Sequence, residues 1–155
     1  VSESTLLIVE DNLTQQHIFK EMAERLGFHA YLVKSGEEAL AALALAQYSA
    51  VILDVQLPGI NGLEVARQLR LSEEKRKTHV PVIAITGLSP IEEARRACLE
   101  AGMDDFLAKP FPLDEFRRML LRWAYDPHRP NLKLLDKLRT DEYRFDSSGI
   151  ERNPC

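Results

Sequence analysis

Five polar residues stand just after short apolar runs at widely separated points in the chain. Glu10 and Asp11 follow the run 5–9, Asp54 follows 51–53, Thr86 follows 82–85 and Lys109 lies shortly after 105–107. If these runs are strands of one parallel sheet, the polar residues meet at its carboxyl edge, where open α/β sheets bind ligands. Three carboxylates, a hydroxyl and an ammonium would then share one site. Carboxylates packed so closely repel and need a counter-charge. An all-oxygen donor set suits Mg²⁺, which keeps some of its waters and accepts a phosphate oxygen. Lys109 offers a point charge for phosphoryl oxygens and Thr86 a hydroxyl donor. Asp54, on the middle run, is the natural nucleophile, since carboxylates form aspartyl-phosphates.

The elements that would position these residues can be read from periodicity. The apolar, β-branched runs 5–9, 30–33, 51–53, 82–85 and 105–107 predict five strands. Between them lie stretches with apolar residues at three- and four-residue spacing. The first helix is expected to turn Ile18, Met22 and Leu26 to one side and stop at Gly27. The second spans about 36–47 and is rich in Ala and Leu. The third follows Asn61 as N-cap, with Val65 and Leu69 inward; the fourth runs from near Pro90 to Gly102. The fifth starts after Pro112 and carries Phe116, Leu120 and Trp123 on one face. Strict alternation of strand and helix implies an α/β fold, a parallel sheet with helices on both faces. The flavodoxin-like strand order 2-1-3-4-5 fits, with the more polar second strand at an edge.

Composition excludes several classes. A content of 45% hydrophobic and 28% charged residues describes a globular chain, and no apolar run is long enough for a transmembrane helix. No secretory signal opens the sequence, and the start at Val1 rather than Met fits a piece of a longer protein. The net charge of −4 argues against direct nucleic-acid binding by this segment. Two cysteines, Cys98 and the terminal Cys155, do not make a disulfide framework, and a reducing, cytoplasmic location is expected. Residues 1–125 read as one domain. After the breaker cluster at 126–130, residues 126–155 read as a linker or docking tail, in which Asn131 is placed to cap one short helix carrying Leu132, Leu135 and Leu138.

The chain resembles the receiver domain of the two-component response regulators. The matching pieces are Ile8-Val9-Glu10-Asp11-Asn12, the run from Asp54 through Pro58 to Gly62, Thr86-Gly87, and Phe106-Leu107-Ala108-Lys109-Pro110-Phe111. They occur in the family's order and spacing over about 1–124. The resemblance implies Asp54 as phosphoacceptor and Asp11 as a direct Mg²⁺ ligand. It implies Glu10 as a ligand mostly through water, the Gln56 carbonyl on the metal, and Lys109 on the phosphoryl group. Thr86 and Phe106 match the family's switch pair: on phosphorylation the hydroxyl is drawn to the new oxygens and the aromatic turns inward. That reshapes the face made by the fourth helix, fifth strand and fifth helix. Lys109-Pro110 matches the family's usual cis peptide. Gln56 and Leu88 occupy the positions that tune hydrolysis, and Leu88 is expected to hinder attacking water. Gly87 and Asn61 depart from the family's commoner Ala and Asp without removing a function.

The implied partner is a histidine kinase or a histidine phosphotransfer protein. The receiver catalyses only its own phosphorylation and dephosphorylation. The parent protein is left open: a single-domain regulator, a receiver within a hybrid sensor histidine kinase, or the front of a longer regulator. An aspartyl-phosphate hydrolase is disfavoured, because it needs a second acid where Gln56 stands, and a non-phosphorylated interaction module is disfavoured by the complete site. The mixed charges Glu92, Glu93, Arg95 and Arg96, with Asp114, Glu115, Arg117 and Arg118, could pair across a homodimer or face water. The charge run 73–77 reads as a solvated helix end, and the four histidines show no ligand spacing.

Overall fold

A computed structural model describes residues 4–128 and 131–135. The elements alternate as β1 (Thr5–Val9), α1 (Leu13–Arg25), β2 (His29–Val33), α2 (Gly36–Leu45) and β3 (Ala50–Asp54). They continue with α3 (Gly62–Arg76), β4 (Val82–Thr86), α4 (Ile91–Glu100), β5 (Asp105–Ala108) and α5 (Leu113–Trp123). The five strands form one parallel sheet in the order β2-β1-β3-β4-β5, as the alternation predicts. Strands β3 and β4 each run one residue further than their apolar stretch. Asp54 and Thr86 are in the ladder, opposite Ile85 and Ala108. Asp54 and Thr86 are therefore strand residues held by sheet hydrogen bonds, whereas Glu10, Asp11 and Lys109 lie just past the ends of β1 and β5.

Successive strand side chains go to opposite faces. Leu6, Ile8, Ile52, Ile83, Ile85 and Leu107 share an apolar cluster with Phe19, Ala23, Phe116 and Leu120 of α1 and α5. Leu7, Val9, Val51, Leu53, Val82 and Ala84 share the other with Ala39 and Leu43 of α2, Val65 and Leu69 of α3, and Cys98 of α4. Helix starts follow local chemistry: Asn12, Ser35 and Asn61 each accept a hydrogen bond from the third residue onward, at Gln15, Glu38 and Glu64. The backbone N–H of Lys34, the residue before the Ser35 cap, donates to Glu38 Oε1 at 2.8 Å, which ties the entry to α2.

The structure corrects three expectations. Helix α1 buries Gln16, Phe19, Ala23 and Leu26, whereas Ile18 is exposed. Leu26, just past the helix, is inward as expected and Met22 packs partly buried against the same cluster, so of the three only Ile18 is misplaced, Phe19 facing the core instead. In the charge run, Glu73 is buried: its Oε1 accepts from Arg70 at 2.6 Å and its Oε2 from the Val80 N–H at 2.7 Å. The tail docks through Leu134, which is fully buried, while Leu132 is exposed. Asn131 caps as expected, accepting from Leu134 N at 3.1 Å, and its Nδ2 also donates to the Leu26 carbonyl at 2.7 Å. Leu138 lies outside the described residues. No helix among the described residues is long and apolar enough to cross a membrane.

Candidate functional site

The carboxyl ends of β1, β3, β4 and β5 bring the site together. Beyond β1, Glu10 stays in register with β2 through its N–H to the Val33 carbonyl, 3.1 Å. The buried Gln16 amide stitches the same place, donating to the carbonyls of Glu10 (2.7 Å) and Val33 (3.1 Å). Helix α3 begins against the end of β3. A Cβ on Gly62 would lie 2.7 Å from the Asp54 carbonyl oxygen, so only glycine permits that approach.

Glu10 and Asp54 are almost fully buried, and Asp11 is exposed. Carboxylate oxygens from these three lie within 4.8 Å of one another. Lys109 Nζ donates to Glu10 Oε1 and Asp54 Oδ2, each at 3.2 Å, and to Gln15 Oε1 at 2.6 Å. Backbone donors complete the set: Asn12 N to Glu10 Oε2 (3.2 Å) and Gln56 N to Asp54 Oδ1 (3.0 Å). Burial, and then the neighbouring Asp54 charge, push the Glu10 carboxyl above its ordinary value, although Asn12 N–H and Lys109 oppose this. One ammonium facing three carboxylates leaves net negative charge in a confined space. An all-oxygen set with that excess fits a divalent cation such as Mg²⁺, with Glu10, Asp11 and Asp54 available to hold it.

The other predicted residues sit as follows. Thr86 is buried, its Oγ1 accepts from Leu88 N at 3.0 Å, and its carbonyl accepts from Lys109 N at 2.9 Å. Its hydroxyl is therefore held by its own loop and does not touch Lys109 or Asp54 through any hydrogen bond. Phe106 lies opposite Ala84 on β5, half-buried against the α2–α3–α4 side of the core. It also lines a groove of about 420 Å³ with Ile91, Arg95 and Met119. Gln56 is exposed, and Leu88 is 37% exposed at the rim. The Lys109-Pro110 peptide is cis. Of the charges considered for a dimer, Arg117 is buried and pairs at 3.1 Å with the half-exposed Asp114 of the same helix.

Sequence reasoning missed Gln15 and Gln16. Their signal was positional: both fall in the first turn after the Asn12 cap, the part of α1 nearest the end of β1.

These features define an acidic site with one ammonium at the switch point of an open parallel sheet, and the family follows. The response regulator receiver domain family matches residues 6–121, and the chain belongs to it. Response regulator MprA of Mycobacterium sp. (strain KMS) is 36% identical over 137 residues, covering 84% of this chain and 57% of that protein. The chain thus spans little more than half of this relative's length. Among solved structures, the receiver domain of sensor histidine kinase PA1611 from Pseudomonas aeruginosa PAO1, with a magnesium ion in its active-site cleft, is 36% identical. Its TM-score is 0.71, with 79% of this chain and 98% of that one covered. The receiver domain of the Saccharomyces cerevisiae response regulator Ssk1, solved with the phosphotransfer protein Ypd1, gives 28% identity and a TM-score of 0.72, covering 79% and 89%.

Proposed function

We propose that this chain is a phosphoacceptor switch in which Asp54 takes a phosphoryl group from a phosphohistidine donor. The observation that carries the reading is Lys109 Nζ, 3.2 Å from both Asp54 Oδ2 and Glu10 Oε1 within a buried carboxylate cluster. An Asp54 carboxylate oxygen attacks phosphorus, the P–N bond breaks, and its electron pair leaves with the imidazole. Lys109 holds the charge on the phosphoryl oxygens, and the Gln56 N–H fixes the carboxylate. Glu10, Asp11, Asp54 and the Gln56 carbonyl would hold Mg²⁺, which would supply the positive charge that lets the anions meet.

The Thr86 hydroxyl then exchanges its bond from Leu88 N for one to the phosphoryl group, and Phe106 turns into the space beside it. The α4–β5–α5 face changes shape as a result, and a partner reads it. The donor is a histidine kinase or a histidine phosphotransfer protein, a choice supported by the Ssk1–Ypd1 complex. The setting is cytoplasmic. The likeness to PA1611 also favours a receiver within a hybrid sensor histidine kinase as the parent protein.

Beryllofluoride with Mg²⁺, a phosphoryl mimic, is the test. It should shift Trp123 fluorescence or the amide spectrum of the wild type and leave Asp54→Asn unchanged. An identical response from both proteins refutes the reading.

A further inference from the structure

We infer that Gln15 is a positioning residue for Lys109, an inference that rests on the phosphoacceptor reading of Asp54. An ammonium has three donors and no acceptor. Lys109 directs them to Gln15 Oε1 at 2.6 Å and to Glu10 Oε1 and Asp54 Oδ2 at 3.2 Å each. The shortest bond goes to the one neutral acceptor. Gln15 is not a loosely held surface side chain. It is half-buried in the first turn of α1, and its own N–H is capped by Asn12 Oδ1 at 3.0 Å. The next residue, Gln16, is tied to the ends of β1 and β2 through the Glu10 and Val33 carbonyls.

The chemistry gives this contact a purpose. Glu10 and Asp54 are the oxygens that a divalent cation and a phosphoryl group will engage. Gln15 is the acceptor that still holds Nζ when they do. It also takes one of the three donors, so that Nζ is not held by the two carboxylates alone. Because the amide is neutral, Lys109 keeps its whole charge for the phosphoryl oxygens. A carboxylate at the same position would neutralise Lys109 and repel the donor. An apolar residue would let Lys109 fall back onto the two carboxylates.

The test measures Asp54 phosphorylation by phosphoramidate with Mg²⁺ over a range of donor concentrations. The proteins are the wild type, Gln15→Ala, Gln15→Glu, Lys109→Ala and the Gln15→Ala/Lys109→Ala double variant. Gln15→Ala should lower the saturated rate roughly tenfold while half-saturating donor and Mg²⁺ affinity stay within about twofold, with Gln15→Glu at least as slow. In the Lys109→Ala background, loss of Gln15 should cost nothing further. The Lys109 side-chain nitrogen-15 signal should be protected from exchange in the wild type and lose that protection in Gln15→Ala. A full rate in Gln15→Ala, or an equal loss with and without Lys109, overturns the proposal. A wild type that takes no phosphoryl group overturns the reading of Asp54 instead, while the exchange measurement still decides whether Gln15 holds Lys109.

Discussion

Leu134 lies beyond the residues that the family matches, yet it is fully buried in the cluster that holds Phe19, Leu26, Phe28 and Leu120. Truncating a buried leucine to alanine costs about 2–5 kcal/mol. A docked strap can peel away instead of enduring a cavity, so its docking energy sets the ceiling, and about 2–3 kcal/mol is expected for Leu134→Ala. At roughly 3 °C per kcal/mol for a domain of this size, thermal unfolding should fall by about 6–9 °C. Circular dichroism or Trp123 fluorescence follows the transition. Removal of everything after residue 128 should give a similar loss. Gly27→Ala provides an internal control. Its φ of +89° strains any side chain in both lengths of chain, whereas the collision of its Cβ with the Asn131 amide exists only when the strap is present. The substitution should therefore cost more in the full chain than in the shortened one. If Leu134→Ala and the truncation both unfold within about 1 °C of the parent, the strap contributes nothing and the reasoning fails.

Arg70→Ala strips the buried Glu73 and the Asp104 carboxylate of their cation and should destabilise by about 3 kcal/mol in urea unfolding, far more than Arg67→Ala on the exposed face. The raised Glu10 carboxyl means that this group's contribution to the stability of the metal-free domain is fully present at low pH and is lost as pH rises through the raised value. Glu10→Gln should flatten this dependence in thermal scans without divalent ions and raise the melting temperature at pH 7. Burial pushes the Cys98 thiol up to about 11. At pH 8 about a thousandth is thiolate, so in a Cys155→Ser background a thiol reagent should label Cys98 only at the rate of unfolding. Leu88→Ala should shorten the aspartyl-phosphate lifetime several-fold, measured by loss of the phosphorylated mass after the donor is removed; an unchanged lifetime removes Leu88 as a barrier to water.

The alternation of apolar runs and helical spacing, with the more polar second run at an edge, fitted the strand order, because each run is short and followed by a helix of the right length. The acidic pair, Asp54, Thr86 and Lys109 were legible for a similar reason: each ends a strand, and parallel strands end at one edge. What resisted reading was polar burial. Gln16 sits in the inward stripe of α1 because two strand-end carbonyls need its amide, and no hydrophobic pattern records such a demand. Glu73 and Arg117 likewise read as solvent-facing charges: each has a partner three residues away in its own helix, Arg70 and Asp114, but their burial is visible only once the helices are packed. Leu134 was hidden by its position after a breaker cluster, where the sequence resembles a linker.

Strand β4 begins and ends in unlike surroundings. At its start, Val82 exchanges two bonds with Asp104 at 2.8 Å each, and Asp104 is itself gripped by Arg70 at 2.8 Å and met by His79 at 2.8 Å. At its finish, the Thr86 side chain has only the 3.0 Å bond from the Leu88 N–H. The backbone is secured at both ends, by Asp104 at Val82 and by the Lys109 N–H on the Thr86 carbonyl at 2.9 Å. What is lightly held at the finish is one hydroxyl. Thr86 thus resembles a latch on a fixed frame: its side chain can change partners while the strand that carries it stays in register.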